Sequence, residues 1–311
     1  MSEERLSIPT RNVIVVADKP GQLGNRLTVF AHVIAVARKL GVRVINPAFD
    51  EYAPFFRGTA GNPSCSYPPP YKELRVSFRS RRILYWVTLR IASALYRVGL
   101  NSQFGLVIRL GWSERINLDS DQFEQLVRSR RYLFLQGWLF RAPVALRRHA
   151  DAIREFFQPI QPLQESVSEI VTSARKTCNV LVGIHIRQGD YERHFAKKYF
   201  FGSDHYQQIM SRIEELLNEK KVGFLVCSDQ KQPRDLFPRD RCVFGSGHAV
   251  EDLYSLAACD YIIGPPSSYS LWASFYGKVP LYIVTNPAAS FELTDFWVAP
   301  DIQDAEVREL Y

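Results

Sequence analysis

A cation, a carboxylate and a phenol stand within five residues of one another in this chain, directly after an apolar run. Residues 180–186 are mostly β-branched and apolar, which is typical of a central parallel strand covered on both faces. Arg187 therefore falls at the carboxyl end of that strand, where the ligands of open α/β sheets bind. A guanidinium there is suited to hold a phosphate through two hydrogen bonds; a salt-bridged arginine is the plainer alternative.

Two other stretches predict helix starts that face a ligand. Residues 13–17 are apolar and lead through a glycine-containing loop into a second apolar run, so Gly24 would let backbone approach a ligand closely. Residues 261–264 form another strand-like run, and Ser267 and Ser268 follow it after two prolines. Hydroxyls and free N–H groups at a helix start bind anions, although an ordinary N-cap gives the same sequence. The G-x-G-x-x-G fingerprint does not occur, so a nicotinamide site is a poor fit.

Together these stretches resemble the GT-B fucosyltransferases that use GDP-fucose. The similarity is greatest to the α-1,2-fucosyltransferases and more distant to the α-1,6- and protein O-fucosyltransferases. G-Q-L-G-N-R at 21–26 resembles their G-x-L-G-N-Q, and H-I-R-Q-G-D-Y at 185–191 resembles their H-x-R-R-G-D-Y. C-S-D-Q at 227–230 is similar to a Ser-Asp-Asp that follows a strand. The interval from Asp252, at a helix opening, to Ser268 resembles their third motif.

The resemblance implies a set of residues that bind phosphate. Arg187 would hold the β-phosphate and stabilise the departing GDP, and Ser267 and Ser268 would donate hydrogen bonds to the diphosphate. Gly24 and Asn25 would approach the sugar-phosphate from the opposite domain. Charge develops on the leaving oxygen when a glycosyl–phosphate bond breaks, so donors placed there would make the largest catalytic contribution.

The resemblance also implies a guanine side of the donor site. His185 and Asp252 would contact the guanine or organise its pocket, and Asp229 would line the nucleotide side. A carboxylate that accepts hydrogen bonds from N1–H and N2–H suits the edge of guanine. GDP-fucose is the donor substrate in this interpretation, and no cofactor is implied.

The candidates for acceptor chemistry lie on the loop that follows Arg187 and at the predicted helix start near Asn25. Asp190, Glu192 and His194 follow Arg187 on a single loop, and each is a candidate to take the proton of the acceptor hydroxyl. In the plainer alternative, Asp190 holds the loop and the other two are solvated. Asn25, across the predicted cleft, would orient the acceptor or a phosphate oxygen.

The sequence departs from the family pattern at several positions. Gln188 replaces an arginine, Arg26 replaces a glutamine, and Pro265-Pro266 with Leu271 replace an asparagine and a tryptophan. The middle of the chain matches no pattern of the family. The donor site is therefore better supported than the acceptor specificity.

Chain length, composition and a proline-containing segment predict two domains. A chain of 311 residues with 46% hydrophobic residues suits two domains, and residues 158–162 are the predicted linker after a predicted helix over 142–157. We predict an N-terminal acceptor-side domain over 1–160 and a C-terminal GDP-sugar-binding domain over 161–311. Strand-like and helix-like runs alternate in the latter, which favours a doubly wound parallel sheet. The fold class expected from the resemblance is α/β of GT-B type, with two Rossmann-like domains facing across a cleft.

Cysteine usage and hydropathy give an expectation about the compartment. The five cysteines form no C-x-x-C pair and are widely spaced, which argues against a disulfide framework. The sequence contains no Asn-x-Ser/Thr acceptor, no apolar signal core at its start and no run of 18 uncharged apolar residues. We therefore expect a cytoplasmic protein of bacterial type.

The formal net charge of +7 is concentrated in part in residues 71–98, where six arginines alternate with bulky apolar residues. Nucleic acid is not the expected partner. A domain helix with one solvated basic face is the simplest interpretation of this segment. Two alternatives are a helix on an anionic membrane surface, which would place the protein peripherally at the inner membrane, and an acceptor site for an anionic or lipid-linked saccharide.

No metal site is predicted. Asp119-Ser120-Asp121 has the D-x-D form that metal-dependent glycosyltransferases use. Asp121 also precedes an apolar-periodic run with Glu124 three residues later, and a helix start of the capping-box kind explains that pattern better.

The resemblance thus implies an inverting, metal-independent transferase that moves L-fucose from GDP-fucose to a glycan hydroxyl, with an oligosaccharide or lipid-linked glycan as acceptor. The catalytic candidates are Arg187, Asp190 and Asn25. The alternatives are a non-catalytic homologue that binds a GDP-sugar or a glycan, and a transferase that uses another GDP-sugar such as GDP-mannose.

Overall fold

The computed structural model describes residues 11–72, 74–192, 197–218, 220–238, 240–286 and 288–299. Contacts within the chain divide it into two compact units, residues 1–160 and 161–311. Which unit handles the donor and which the acceptor stays a prediction. No helix among the described residues is both long and apolar enough to cross a membrane.

The first unit is built on a parallel sheet. Its strands are β1 (Val13–Val16), β2 (Arg43–Ile45), β3 (Gly105–Arg109), β4 (Ile116–Asn117), β5 (Tyr132–Gln136) and β6 (Phe140–Arg141). Four of them form a sheet in the order β2-β1-β5-β3, and β4 pairs with β6; all these pairings are parallel. Strand β3, a short edge strand in which only Gly105 and Val107 are buried, was not predicted from the sequence.

The helices of the first unit are α1 (Leu23–Leu40), α2 (Arg57–Ala60), α3 (Phe78–Arg97), α4 (Asp121–Arg128), α5 (Pro143–Arg148) and α6 (Ala150–Phe156). Two predicted helices are corrected. The basic helix begins only at Phe78, where the Ser77 hydroxyl accepts a hydrogen bond from the Ser80 amide. The predicted helix over 142–157 is two short helices, because His149 has φ −112° and ψ 16°, outside helical values.

The second unit is a five-stranded parallel sheet with four helices among the described residues. Its strands are β7 (Val180–Ile186), β8 (Val222–Ser228), β9 (Cys242–Phe244), β10 (Tyr261–Gly264) and β11 (Leu281–Ile283). Its helices are α7 (Gln161–Arg175), α8 (Ser203–Leu216), α9 (Ala249–Leu256) and α10 (Ser268–Gly277). The strand order is β11-β10-β7-β8-β9, so the predicted doubly wound α/β architecture is confirmed.

The central strand β7 is buried along its whole length, as its apolar run predicts. On one face, Val182, Ile184 and Ile186 belong to a core that also contains the apolar side chains of α8. On the other face, a Cβ at Gly183 would lie 2.7 Å from Leu256 Cδ2. Glycine at this position therefore lets the end of α9 pack directly on the strand that carries Arg187.

Candidate functional site

The carboxyl ends of β7, β8 and β10 lie side by side at one edge of the second sheet. β7 pairs with β8 as far as Ile186 and Ser228, and it pairs with β10 as far as Ile184 and Ile263. The loops that leave these strands therefore begin at neighbouring positions, where open α/β sheets bind their ligands. The predicted residues of the second unit gather at this edge: His185, Arg187, Asp190, Asp229, Asp252, Ser267 and Ser268.

Arg187 is held by the carboxylate that follows it on the same loop. Its Nε donates to Asp190 Oδ1 at 2.9 Å and its Nη2 donates to Oδ2 at 2.6 Å. Its guanidinium carbon lies 5.1 Å from the ring centroid of Tyr191, and its side chain is only 16% exposed. The remaining nitrogen, Nη1, donates no hydrogen bond to any residue that the structure describes. The arginine is thus fixed in place with one nitrogen left for a ligand.

The contacts of Asp190 differ from those expected of a residue that takes a proton from the acceptor. Both of its carboxylate oxygens accept hydrogen bonds from Arg187, so the geometry is that of a residue that positions the guanidinium. Glu192 is exposed, and His194 lies outside the described residues. The loop-holding alternative thus describes the observed contacts of Asp190, and its catalytic role stays a prediction.

Asp229, at the end of β8, braces the loop that carries Arg187. Its Oδ1 accepts from the Gln188 amide at 2.9 Å and its Oδ2 accepts from the Gly189 amide at 3.1 Å. The side chain of Gln188, where the family has arginine, donates to the Phe201 carbonyl at 2.8 Å. Gln188 thus ties the arginine loop to the main chain at Phe201.

Two serines lie at the start of α10, and they differ in their hydrogen bonds. Ser267 is the N-cap, and its hydroxyl accepts from the Tyr269 amide at 3.2 Å. Ser268 is half-buried at the first helical position, and its hydroxyl makes no hydrogen bond within the described part of the chain. The Tyr191 hydroxyl donates to the Pro266 carbonyl, which joins the Arg187 loop to this helix start. The positive end of the helix and a free hydroxyl therefore lie beside the arginine loop.

His185 is an uncharged link inside the unit. Its side chain is buried, its Nδ1 lies 2.7 Å from Ser270 Oγ, and its ring centroid lies 4.9 Å from that of Tyr269. Burial, together with the nearby Arg187, lowers the pKa of His185 to about 3. A neutral imidazole that ties β7 to α10 organises the site and contributes no cationic charge.

A cavity of about 580 Å³ opens beside the arginine loop. It is lined by Val226, residues 228–234, residues 244–247 and Asp252. Its volume is within the range of small-molecule sites, which is roughly 300–1,000 Å³. All of its lining residues belong to the second unit, and Asp229 and Asp252 supply its two carboxylates.

Asp252 lies in the first turn of α9 and is 4% exposed. Its Oδ1 accepts from the Gly247 amide at 3.3 Å and from Ser246 Oγ at 3.4 Å, so Oδ2 is the oxygen left to accept from a ligand. Burial raises the pKa of Asp252 to about 6, against the opposing effect of the Gly247 and Ser246 hydrogen bonds. A buried carboxylate in a cavity wall is a functional candidate on physical grounds.

Gly245 offers a way to displace this carboxylate without changing its chemistry. A Cβ at Gly245 would lie 2.7 Å from Asp252 Cγ and closer still to Oδ1. We expect Gly245→Ala to keep the fold, since a short carboxylate can rotate away, and to weaken GDP binding about tenfold or more. Calorimetric titration with GDP checks this, and UDP is the internal control. Unchanged GDP affinity would show that the position of Asp252 does not matter to the nucleotide.

The predicted residues of the first unit lie at the start of α1. Gly24 is buried, and its carbonyl accepts from Thr28 Oγ1 at 2.8 Å. Asn25 is half-buried, and its amide makes no hydrogen bond with a described residue. The helix begins at Leu23, two residues before the predicted start, and Gln22 is its N-cap. In the first turn of its helix, Asn25 therefore has a side-chain amide that no described residue engages.

An ion cluster near that helix start was not predicted. Lys19 Nζ lies 2.6 Å from Asp50 Oδ1 and 2.9 Å from Glu51 Oε1, and Arg26 Nη1 lies 2.8 Å from Glu51 Oε2. Arg26, which departs from the family pattern, is thus neutralised by its own unit. The sequence carried no signal for this cluster, because its carboxylates come from a distant part of the chain.

Asp119, the first carboxylate of the D-x-D sequence, caps a helix. Its Oδ2 accepts from the Val144 amide at 2.8 Å and its Oδ1 accepts from the Ala145 amide at 3.1 Å, both in the first turn of α5. The N-cap of α4 is Ser120, whose hydroxyl accepts from Phe123, and Asp121 is the first helical residue. Within the described ranges, no three His, Cys, Asp or Glu residues are grouped to hold a metal ion.

Several solved structures of fucosyltransferases have the same fold. An Arabidopsis thaliana FUT1 mutant in complex with GDP has a TM-score of 0.57 and 12% identity, over 88% of this chain and 70% of its own. NodZ from Bradyrhizobium, an α-1,6-fucosyltransferase soaked with GDP-fucose, has a TM-score of 0.53 and 14% identity, over 90% of this chain and 98% of its own. At such low identity these similarities establish the fold, and they confirm the predicted GT-B class.

Family membership follows from the sequence itself. No curated protein sequence matches the chain significantly. The sequence profile of glycosyl transferase family 11 matches residues 124–296, which is more than half of the chain. Together with the fold, this match confirms the prediction of a glycosyltransferase related to the fucosyltransferases. The chain belongs to glycosyl transferase family 11.

Proposed function

We propose that the enzyme transfers L-fucose from GDP-fucose to a glycan hydroxyl, with inversion at the anomeric carbon and without a metal ion. The observation that carries this proposal is one sheet edge in the second unit. There, a fixed arginine with a free nitrogen, a helix start with a free serine, and a cavity with a buried carboxylate lie together. The solved neighbours that contain GDP or GDP-fucose support the same donor.

The leaving diphosphate is proposed to bind between Arg187 and the start of α10. Arg187 Nη1 would donate to a phosphate oxygen while Asp190 holds the guanidinium in place. Ser268 and the free amides of the helix start would donate to the other phosphate oxygens. These donors are in place before the reaction, so they stabilise the charge that develops on the leaving oxygen without reorganisation.

The guanine is proposed to occupy the cavity beside Asp229 and Asp252. Asp252 would accept hydrogen bonds from N1–H and N2–H of the base, with Oδ2 as one acceptor. Uracil presents a single N–H between two carbonyl groups, so it cannot satisfy this carboxylate in the same way. The base side of the site thus discriminates between GDP-sugars and UDP-sugars.

The acceptor side of the proposal places Asn25 at the acceptor hydroxyl and gives Asp190 a positioning role through Arg187. Asp190→Ala and Asn25→Ala should lower turnover more than GDP affinity, by about tenfold for each 1.4 kcal/mol by which the transition state is destabilised. Steady-state kinetics beside GDP titrations of the same variants measure this difference. Asp151→Ala is the matched control, because Asp151 and Arg154 form an ion pair with the same sequence spacing and the Arg154 side chain, 17% exposed, is as sheltered as that of Arg187. Wild-type turnover in both variants would place the acceptor chemistry on other residues.

Metal independence is proposed because the charge of the diphosphate has local partners and Asp119 is engaged in capping α5. Transfer should therefore continue at its full rate in excess EDTA. An assay of fucose transfer before and after chelation checks this. Loss of activity that Mn²⁺ or Mg²⁺ restores would make Asp119 and Asp121 candidates for ligands.

The family resemblance supports an α-1,2 linkage and an oligosaccharide or lipid-linked glycan as acceptor. The cytoplasmic location is proposed from the cysteine usage of the sequence. The experiment is a transfer assay with GDP-fucose and a panel of galactoside-terminated acceptors, with NMR of the product. The proposal predicts an α-linked fucose, the inverted product of a β-linked donor. Binding of GDP-fucose without transfer to any acceptor would indicate a non-catalytic homologue, and preferential transfer from GDP-mannose would indicate a different donor.

A further inference from the structure

Helix α3 has an unusual distribution of buried and exposed side chains. Its buried positions are Arg81, Tyr85, Thr88 and Ala92, which recur on one side of the helix. The larger aliphatic side chains and the tryptophan of the helix lie on other sides. A domain helix normally buries its apolar stripe, whereas α3 buries an arginine and a threonine and leaves a row of aliphatic side chains outside.

Polar contacts hold the inward side of α3. The Arg81 guanidinium donates to the carbonyl of Thr59 at 2.9 Å and to that of Asn62 at 2.6 Å, and both acceptors are main-chain groups of the same unit. Tyr85 is buried, with Lys19 Nζ 4.3 Å from its ring centroid. The orientation of the helix is thus set by specific hydrogen bonds, and its outward face is a fixed feature of the fold.

The outward face of α3 is apolar and basic. Ile83 is 59% exposed, and Trp86, Val87 and Ile91 are each 48% exposed. Ile83, Val87 and Ile91 recur every four residues, so they form one continuous row. We call the exposed side chains of this face the α3 surface; its members are Arg79, Arg82, Ile83, Trp86, Val87, Arg90, Ile91 and Arg97.

The arginines of the α3 surface have no carboxylate partner in the part of the chain that the structure describes. None of the four forms an ion pair with a described residue, and the helix contains no aspartate or glutamate. Other exposed arginines do have carboxylate partners, such as Arg128 with Glu124 and Arg212 with Glu292. The simple interpretation of this segment as a solvated basic face does not explain the apolar row beside the charges.

We propose that the α3 surface docks this enzyme on the surface of an anionic phospholipid bilayer. The helix would lie in the plane of the interface, with Ile83, Val87 and Ile91 among the acyl chains. Trp86 would lie at the headgroup level, and the arginines would contact lipid phosphates. A second copy of this chain is a poorer occupant, because two such surfaces would bring eight arginines together without a carboxylate in either helix.

The experiment is co-sedimentation of the full chain with vesicles of phosphatidylcholine, with and without phosphatidylglycerol. The protein should bind only the vesicles that contain phosphatidylglycerol, and the bound fraction should fall as salt is raised. Arg90→Gln and Arg97→Gln should each weaken binding about fivefold. Trp86→Ser and Ile91→Ser should each weaken it about tenfold, and these two variants should keep the wild-type melting temperature because both side chains are exposed.

Two control variants lie outside the α3 surface. Val144→Ser removes an apolar side chain that is 65% exposed, and Arg128→Gln removes an arginine that is paired with Glu124. Both should bind vesicles like the wild type. Equal binding to the two vesicle types, no binding to either, or unchanged binding of the Trp86 and Ile91 variants would overturn the proposal. It would also be overturned by a wild-type dimer in light scattering that Ile91→Ser converts to a monomer, because the surface would then be a self-interface.

Discussion

Arg187→Ala should reduce fucose transfer almost completely and weaken GDP binding about 10- to 150-fold, the equivalent of about 1.5–3 kcal/mol. The physical reason is the loss of a charge-assisted donor at the leaving diphosphate, in a place where Asp190 and Tyr191 already hold the guanidinium. Arg187→Lys should restore little of either property. A single ammonium cannot bond both oxygens of Asp190 and a phosphate in the geometry of a planar fork.

The matched control for this experiment is Arg212→Ala. Arg212 lies in the same unit and is also paired with carboxylates, Glu215 and Glu292, and it is not among the residues that line the candidate site. Its removal should leave transfer and GDP affinity within about twofold of wild type. Turnover of Arg187→Ala like that of the Arg212 control would show that Arg187 does not stabilise the leaving diphosphate.

Asp252→Asn should lower the affinity for GDP by about tenfold or more and leave the affinity for UDP nearly unchanged. The carboxylate would accept from both N–H groups of guanine, whereas the amide would offer one oxygen and a donor that faces the N–H groups of the base. Calorimetric titrations of wild type and variant with both nucleotides measure the difference. Equal losses for GDP and UDP would reduce Asp252 to a residue that stabilises the first turn of α9.

The wild type and Asp252→Asn should also differ in the pH dependence of GDP binding. Burial raises the pKa of Asp252 to about 6, and only its ionised form accepts two hydrogen bonds. Affinity for GDP should therefore be constant above that pH and fall as the pH is lowered through it, because protons then compete with the base. The β-phosphate of GDP titrates in both proteins, so the part of the pH dependence that Asp252→Asn removes belongs to the carboxylate.

Local sequence patterns were sufficient to predict the second unit. The buried run of β7 and the serine that begins α10 each carry their own signal, a hydrophobic period or a cap. Parallel pairing then places the ends of the strands at one edge, so the position of Arg187 follows from elements that the sequence shows.

The remaining features depend on contacts between residues that are distant in the chain. Asp229 braces the amides of Gln188 and Gly189, which no local pattern indicates. The cluster of Lys19 with Asp50 joins a loop after β1 to a segment that matched no motif. The inward position of Arg81 on α3 depends likewise on tertiary contacts, its hydrogen bonds to the main chain at Thr59 and Asn62.

The most direct test of the central claim is calorimetric titration of the wild-type protein at a pH of about 7.5, above the pKa of Asp252, with GDP, GDP-fucose, UDP and UDP-galactose. We expect GDP and GDP-fucose to bind and both uridine nucleotides to bind about tenfold more weakly or worse, because Asp252 in the proposed base pocket would accept two hydrogen bonds from guanine and only one from uracil. Equal affinity for the guanine and uracil nucleotides, or no binding of GDP-fucose, would contradict the account.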